Sequence, residues 1–281
     1  MNLRNSQSQA RKGHPPPPSN APKGQKFKMV IEYEGTRYSG WQAQKNARTI
    51  QGELLEAGHK VFETADLEIY GSGRTDAGVH ALAQVAHLAV KTMLAPHIIC
   101  LKLNDELPAD INILEVTKAP ENFHARHDAV ARCYLYQISR RRTALGKRYV
   151  WWIKDELNVS KMREAAKLFV GFNDFRNFSA DDPEEKSTTT DINKIEIEEH
   201  GDLILIRIGG SRFLWKLVRR IVGVLGEAGR GSVAQEEIQR FLSEESGEPA
   251  KFTAPPSGLF LEKVFYEGDA QVGPMRPVMN I

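Results

Sequence analysis

From Phe27 to Tyr33 apolar and polar residues alternate with a period of two, which predicts a strand. A loop punctuated by Gly35 and Gly40 follows. From Thr49 onward, Ile50, Leu54, Ala57 and Val61 recur at helical spacing. Strands are expected at 67–70 and 83–90, with the polar loop Gly71-Ser72-Gly73-Arg74-Thr75-Asp76-Ala77-Gly78-Val79-His80 between them. A second helical stretch over 95–104 precedes a strand at 111–116. The order strand, helix, strand, strand, helix, strand predicts an α+β unit with mostly antiparallel neighbours.

The second half repeats that order. Arg132 to Ile138 alternates as a strand, and 149–153 is its expected partner. Ser160 is expected to cap a helix carrying Met162, Ala165, Ala166 and Phe169, with Gly171 as its stop. Strands at 194–198 and 203–208 are joined by a Gly201-Asp202 turn. From Phe213 to about Ala228, Leu214, Leu217, Ile221, Val224 and Leu225 form one apolar stripe, with Arg212, Lys216, Arg219 and Arg220 opposite. A short helix over 235–242 and a strand over 259–265 complete the pattern. We therefore expect an α+β fold with two ferredoxin-like (RRM-like) domains, 26–118 and 119–267, whose sheets join into one extended sheet flanking a basic cleft. The two halves share no sequence identity, so the pairing rests on element order alone. Residues 268–281 form a C-terminal tail.

Charge changes this picture more than bulk composition does. The 281 residues carry a formal net charge of only +2, yet residues 1–28 hold six basic residues and no acid. Segments 121–150 and 204–231 each carry a surplus of five positive charges, and 151–202 carries a net of −6. Such blocks suit phosphate-bearing partners, although charge runs are also common on solvated faces. Residues 1–25, with Pro15 to Pro18 in a row, are too polar to bury a core and are expected to form a disordered basic tail. No apolar run reaches the ~20 residues a membrane helix needs, and the N-terminal stretch lacks the apolar middle of a secretory signal. Cys100 and Cys133 are too few for a disulfide scaffold or a cysteine zinc site, which fits a cytoplasmic, reducing setting.

Three chemistries compete for the loop from Gly71 to His80. Its glycine spacing fits neither the dinucleotide fingerprint nor the phosphate loop, which also needs a Lys-Ser or Lys-Thr pair. A metal site from Asp76, His80 and His87 would support a hydrolase, but neither the H-E-x-x-H pattern nor a cysteine pair accompanies it. The third is direct use of the Asp76 carboxylate beside Arg74, whose planar guanidinium suits a phosphate or a base edge. The bland alternative is an Asp that hydrogen-bonds its own turn.

The stretch Gly73-Arg74-Thr75-Asp76-Ala77-Gly78-Val79-His80-Ala81, followed by Gln84-Val85-Ala86-His87, resembles the signature of the tRNA pseudouridine synthase A family. Further blocks agree in order: Tyr33-Glu34-Gly35-Thr36, Gly40 to Gln44, Leu107-Pro108-Ala109-Asp110-Ile111, Phe123-His124-Ala125-Arg126 and Arg132 to Tyr136. Phe213-Leu214 with Val218-Arg219 and Gly258 to Leu261 extend the resemblance to about residues 27–267.

The resemblance implies an isomerase that converts uridine to pseudouridine in tRNA, at positions 38 to 40 of the anticodon stem-loop. It implies a homodimer needing no metal or organic cofactor. Asp76 becomes the catalytic carboxylate, Arg219 its basic partner and Tyr134 an active-site tyrosine. Leu259 lines the pocket beneath the base, and Arg74 helps to extract the target nucleotide. Arg126 and Arg132 become candidate RNA contacts, as do Arg140, Arg141, Arg142, Lys147 and Arg148. The rival expectation is a catalytically silent tRNA-binding or chaperone module of the same fold. Two departures from the family pattern, His127-Asp128 for Phe-Ser and Trp215-Lys216-Leu217 for a segment ending in methionine, bear on target range more than on chemistry.

Overall fold

The computed structural model describes residues 24–280. The expected basic tail lies outside these residues apart from Gly24 and Gln25, and Gln25 already belongs to the first strand. In chain order the elements are β1 (Gln25–Tyr33), α1 (Ile50–Phe62), β2 (Leu67–Gly71), β3 (His80–Val90), α2 (Pro96–Glu106) and β4 (Ile111–Ala119). They continue with β5 (Ala131–Ser139), β6 (Trp151–Trp152), α3 (Val159–Lys167), β7 (Gly171–Asp174), β8 (Thr189–His200) and β9 (Leu203–Gly210). The last are α4 (Leu217–Arg230), α5 (Gln235–Ser243), α6 (Glu248–Lys251) and β10 (Leu259–Phe265).

All ten strands belong to one sheet in the order β4-β1-β3-β10-β5-β9-β8-β7, with β2 paired to β3 and β6 to β5. Every pair is antiparallel except β3 with β10 and β5 with β6. The fold is thus mixed α+β with a large, mostly antiparallel sheet. In β1 the alternation buries Phe27, Met29, Ile31 and Tyr33, which join Leu54 of α1 with Ile99 and Leu103 of α2 in one core.

Strand β3 decides where the polar loop sits. One of its edges is taken by β1 along Ala81–Val90, so β2 and β10 must share the other. Strand β2 pairs there with Ala86–Val90, while β10 pairs with His80 and Ala81. The loop from Ser72 to Val79 leaves the sheet at this fork, where strands from the two halves of the chain meet.

The two faces of the central strands are covered differently. Tyr134 and Tyr136 of β5 belong to the main core, whereas Leu135 faces the other way with Leu203, Leu205, Phe260 and Met275. That second face is closed by the C-terminal segment: Arg207 Nη1 donates to Gly273 O at 2.9 Å and Val278 N to Gln137 Oε1 at 2.7 Å. Strand β9 is therefore buried on both faces instead of alternating.

Several expected boundaries move. The cap of α3 is Asn158, whose Oδ1 accepts from Lys161 N at 3.0 Å, and Ser160 lies inside the helix. Gly171 (φ +106°) opens β7 after the helix has already ended at Lys167. The 149–153 partner of β5 is only two residues long and runs parallel to it. Helix α4 begins at Leu217, not Phe213, and Lys216 before it has φ +63°. Residues 211–215 are captured by another segment: Ser211 N donates to Asp191 O at 3.1 Å and Ala180 N to Trp215 O at 2.9 Å. Those bonds outcompete the helical turn that the apolar spacing suggests. Arg212 and Lys216 consequently lie off the helix, so the expected four-residue basic face does not exist.

Candidate active site

The loop after β2 is pinned on several sides before any side chain in it can act. Thr75 O accepts from Trp41 N at 3.1 Å, and Tyr33 Oη lies 2.8 Å from Thr75 Oγ1. Gly40 (φ +90°) is required there, because a Cβ would stand 2.5 Å from Thr75 O. Ser72 Oγ donates to buried Gln84, whose Nε2 donates to Gly73 O at 3.0 Å. At the far end His80 Nδ1 accepts from Gly35 N at 3.0 Å, leaving Nε2 to donate to Arg148 O at 2.9 Å. Such a braced loop presents Asp76 in one place.

Helix α4 supplies its partner. Arg219 Nη1 donates to Asp76 Oδ2 at 3.2 Å across 143 residues of chain, and Arg219 Nε donates to Ala254 O at 2.7 Å. Both side chains are largely but not wholly buried, so Arg219 is no part of a solvated face. Its neighbour Arg220 is spent on the carbonyls of Asn177 and Ser179.

The pair lies in a cleft of about 880 Å³. Of the residues singled out in the sequence, Arg74, Asp76, Arg126, Arg132, Tyr134, Arg219 and Leu259 line it. Tyr134 packs edge-on against Phe213 with ring centroids 4.8 Å apart, and burial pushes its hydroxyl up to about 12 despite the opposing charge of Arg132. Leu259 starts β10 opposite Tyr136 and forms apolar wall. Arg74 is exposed at the rim. Arg132 braces the site as well as lining it, donating to the carbonyls of Ser72 at 2.8 Å, Arg126 at 3.1 Å and Ser211 at 3.2 Å. By contrast, Arg140 pairs with Glu199 and Arg141 with Asp202, and none of Arg140, Arg141, Arg142, Lys147 and Arg148 lines the cleft.

The opposite wall joins residues of the basic segment 204–231 to two that the sequence pattern does not single out, Asp181 and Lys186. Asp181, Lys186, Arg212, Trp215 and Lys216 also face the cleft, giving it seven lysines and arginines against two acids. The positive surplus of 204–231 and the Trp215-Lys216-Leu217 departure were the sequence signals for this wall. The competing metal grouping of Asp76, His80 and His87 does not assemble: His87 is committed to Ala125 N (3.1 Å) and Glu68 Oε1 (2.9 Å), as His80 is to Gly35 and Arg148. Among the described residues no group of three ligating side chains is brought together. Cys100 and Cys133 are both free thiols.

A sequence profile described as tRNA pseudouridine synthase matches residues 29–128 and 165–267. The chain belongs to this family. As a tRNA pseudouridine synthase family member it is a uridine-to-pseudouridine isomerase with an RNA substrate. A relative named tRNA pseudouridine synthase A 2, from Clostridium perfringens, is 40% identical over 242 residues, covering 85% of this chain and 99% of the relative. The tRNA pseudouridine synthase A of Thermoanaerobacter sp. (strain X514) is 37% identical over 240 residues, covering 85% and 98%. Among solved structures, the archaeal box H/ACA sRNP Nop10-Cbf5 complex aligns with 82% of this chain and 59% of that chain at 12% identity and a TM-score of 0.34, too distant to bear on the argument. Asp76 and Arg219 fall inside the two matched stretches of the family profile, whereas Arg132 and Tyr134 lie between them.

Proposed function

We propose that Asp76 is the catalytic carboxylate, acting on uridines 38 to 40 of the tRNA anticodon stem-loop. One observation carries this reading: Asp76 and Arg219, 3.2 Å apart, lie in a basic cleft beside Tyr134 and Leu259. The isomerisation breaks the N1–C1′ bond, rotates the uracil, joins C5 to C1′ and moves the C5 proton away while N1 gains one. Asp76 serves as nucleophile towards C1′ or C6, or as base at C2′. Arg219 holds the carboxylate in place and sets a positive charge beside it, 3.2 Å from Oδ2. Leu259 supports the base on its apolar side. Tyr134 keeps its own proton at neutral pH and so stacks on the uracil or relays a proton, taking one as it passes one on.

The target base must leave its stem, at a cost of a few kcal/mol. Arg74 at the rim and Arg126 and Arg132 on the wall would offset that through phosphate contacts, with salt-sensitive affinity. The wider reading is a cytoplasmic homodimer whose subunits each hold two ferredoxin-like domains, 26–118 and 119–267, on either side of the cleft. The fork in β3, where β10 from the second half pairs beside β2 from the first, supports that division.

The test is pseudouridine mapping on total tRNA with wild-type protein and with Asp76→Asn. Wild type is expected to modify positions 38 to 40, and the variant to bind the same tRNA without modifying it. Persistent modification by Asp76→Asn would remove Asp76 from the chemistry. Binding by wild type with no new pseudouridine would instead support a silent tRNA-binding module.

A further inference from the structure

The wall of the cleft opposite the Asp76 loop carries an aromatic side chain that the chemistry above does not use. Trp215 is 52% exposed, although an indole is among the most costly side chains to leave in water. It is not loose. Its N donates to Asp181 Oδ2 at 2.9 Å, and its carbonyl accepts from Ala180 N at 2.9 Å. Asp181 is itself anchored by Lys186 Nζ at 2.8 Å from Oδ1. The next residue, Lys216, adopts φ +63°, a conformation that residues with side chains disfavour, and its Nζ lies 5.1 Å from the indole centroid. A backbone held on both sides and bent into a left-handed turn keeps the ring at the cleft wall, four residues before Arg219 and just outside α4.

We propose that Trp215 is a stacking platform for an unpaired nucleobase of the substrate RNA, next to the flipped uridine, and so a substrate-binding residue. A flat, exposed indole among lysines and arginines is the arrangement that single-stranded nucleic acid binds: cations take the backbone and the ring takes a base face. Flipping a uridine leaves a neighbouring base without its stacking partner, and Trp215 replaces that partner. Asp181 is the positioning residue that holds the ring. This inference rests on the RNA-modifying reading of the cleft.

The test uses the full chain as wild type, Trp215→Phe and Trp215→Ala, with an anticodon stem-loop RNA and its single-abasic variants. Equilibrium binding, tryptophan emission and single-turnover pseudouridine yield are followed. Trp215→Ala is expected to bind about tenfold more weakly, with its rate at saturating enzyme within about twofold of wild type. Trp215→Phe is expected to bind nearly as wild type while losing most of the emission change. One abasic position should weaken wild type about tenfold and add nothing to Trp215→Ala, which identifies the stacked base. Equal affinity of Trp215→Ala and wild type would overturn the proposal, whatever the pseudouridine yield. So would a change in oligomeric mass without a change in affinity, which would assign the indole to protein contact. If wild type made no pseudouridine yet showed this affinity pattern, the functional reading would fall and the stacking would stand.

Discussion

On the face closed by the C-terminal segment, Arg207 and Glu262 form a bidentate pair at 2.8 and 2.6 Å, with side chains only 8% and 11% exposed. In the cleft, Arg219 reaches Asp76 through one contact at 3.2 Å. The first carboxylate is saturated, since Glu262 also accepts from Cys133 Sγ at 3.4 Å, and has little capacity left for anything else. The second keeps acceptor capacity and faces open space. The same two functional groups thus serve stability in one place and chemistry in the other, and the number of satisfied oxygens separates the roles.

The two regions also differ in what braces them. The back face relies on a charged pair, whereas the loops around the cleft lean on histidines that accept backbone N–H groups at Nδ1: His80 from Gly35, His87 from Ala125, His124 from Arg126 and His127. Accepting at Nδ1 requires a neutral ring, and burial lowers the pKa of all three.

The sharpest way to break the comparison is to exchange what is lost at each pair. Asp76→Asn should cut pseudouridine formation by at least about a thousandfold, on the order of 4 kcal/mol of transition-state stabilisation, while a urea melt stays close to wild type. A comparable loss of stability would show that Asp76 is structural after all. Glu262→Ala should do the reverse, costing about 3 kcal/mol in urea unfolding, because buried Arg207 loses its bidentate partner and keeps only Glu196 at 3.8 Å and the carbonyl of Gly273. The rate per folded molecule should not change, and a loss of activity without unfolding would contradict the assignment.

Between those extremes lies the bracing of the loop. A Cβ on Gly71 would stand 2.5 Å from the indole of Trp41, while one on Gly73 meets nothing within 4 Å. Gly71→Ala is therefore expected to destabilise by about 1–3 kcal/mol, and Gly73→Ala by well under about 1 kcal/mol, in the same melts. Equal effects would mean that the loop is not held against Trp41.

The smallest effect concerns pH. Burial first, and then the neighbouring His87 and His127, lower His124 from 6.5 to about 4. Below pH 6.5 the unfolded chain binds a proton there that the folded chain refuses, so this contribution is fully present above that value and is lost as pH falls towards 4. Thermal melts at pH 7.5 and 4.5 should show the drop, reduced in His124→Asn. An identical drop in the variant would place the acid sensitivity elsewhere.

Local pattern carried much of this. Strands β1 and β5 follow from alternation in single segments, and the loop bearing Asp76 stands out as polar glycine-rich chain between two apolar runs. The limits of α4 were not legible, because its apolar stripe continues smoothly back to Phe213. What ends the helix at Lys216 is a set of bonds to Ala180, Asp181 and Asp191, distant in sequence. Two residues of the opposite cleft wall escape the pattern for the same reason: nothing in the spacing of Asp181 or Lys186 says that they will face Asp76.

By itself, the sequence determined which residues have suitable chemistry and which segments alternate, since both depend on residue identity and near neighbours. Tertiary structure alone decided which carboxylate is saturated and which is left available. That outcome depends on the fork in β3, which admits β10 beside β2, and on the placement of α4, which brings Arg219 to Asp76 across 143 residues. No local periodicity encodes a contact of that range, because it follows from how whole elements pack.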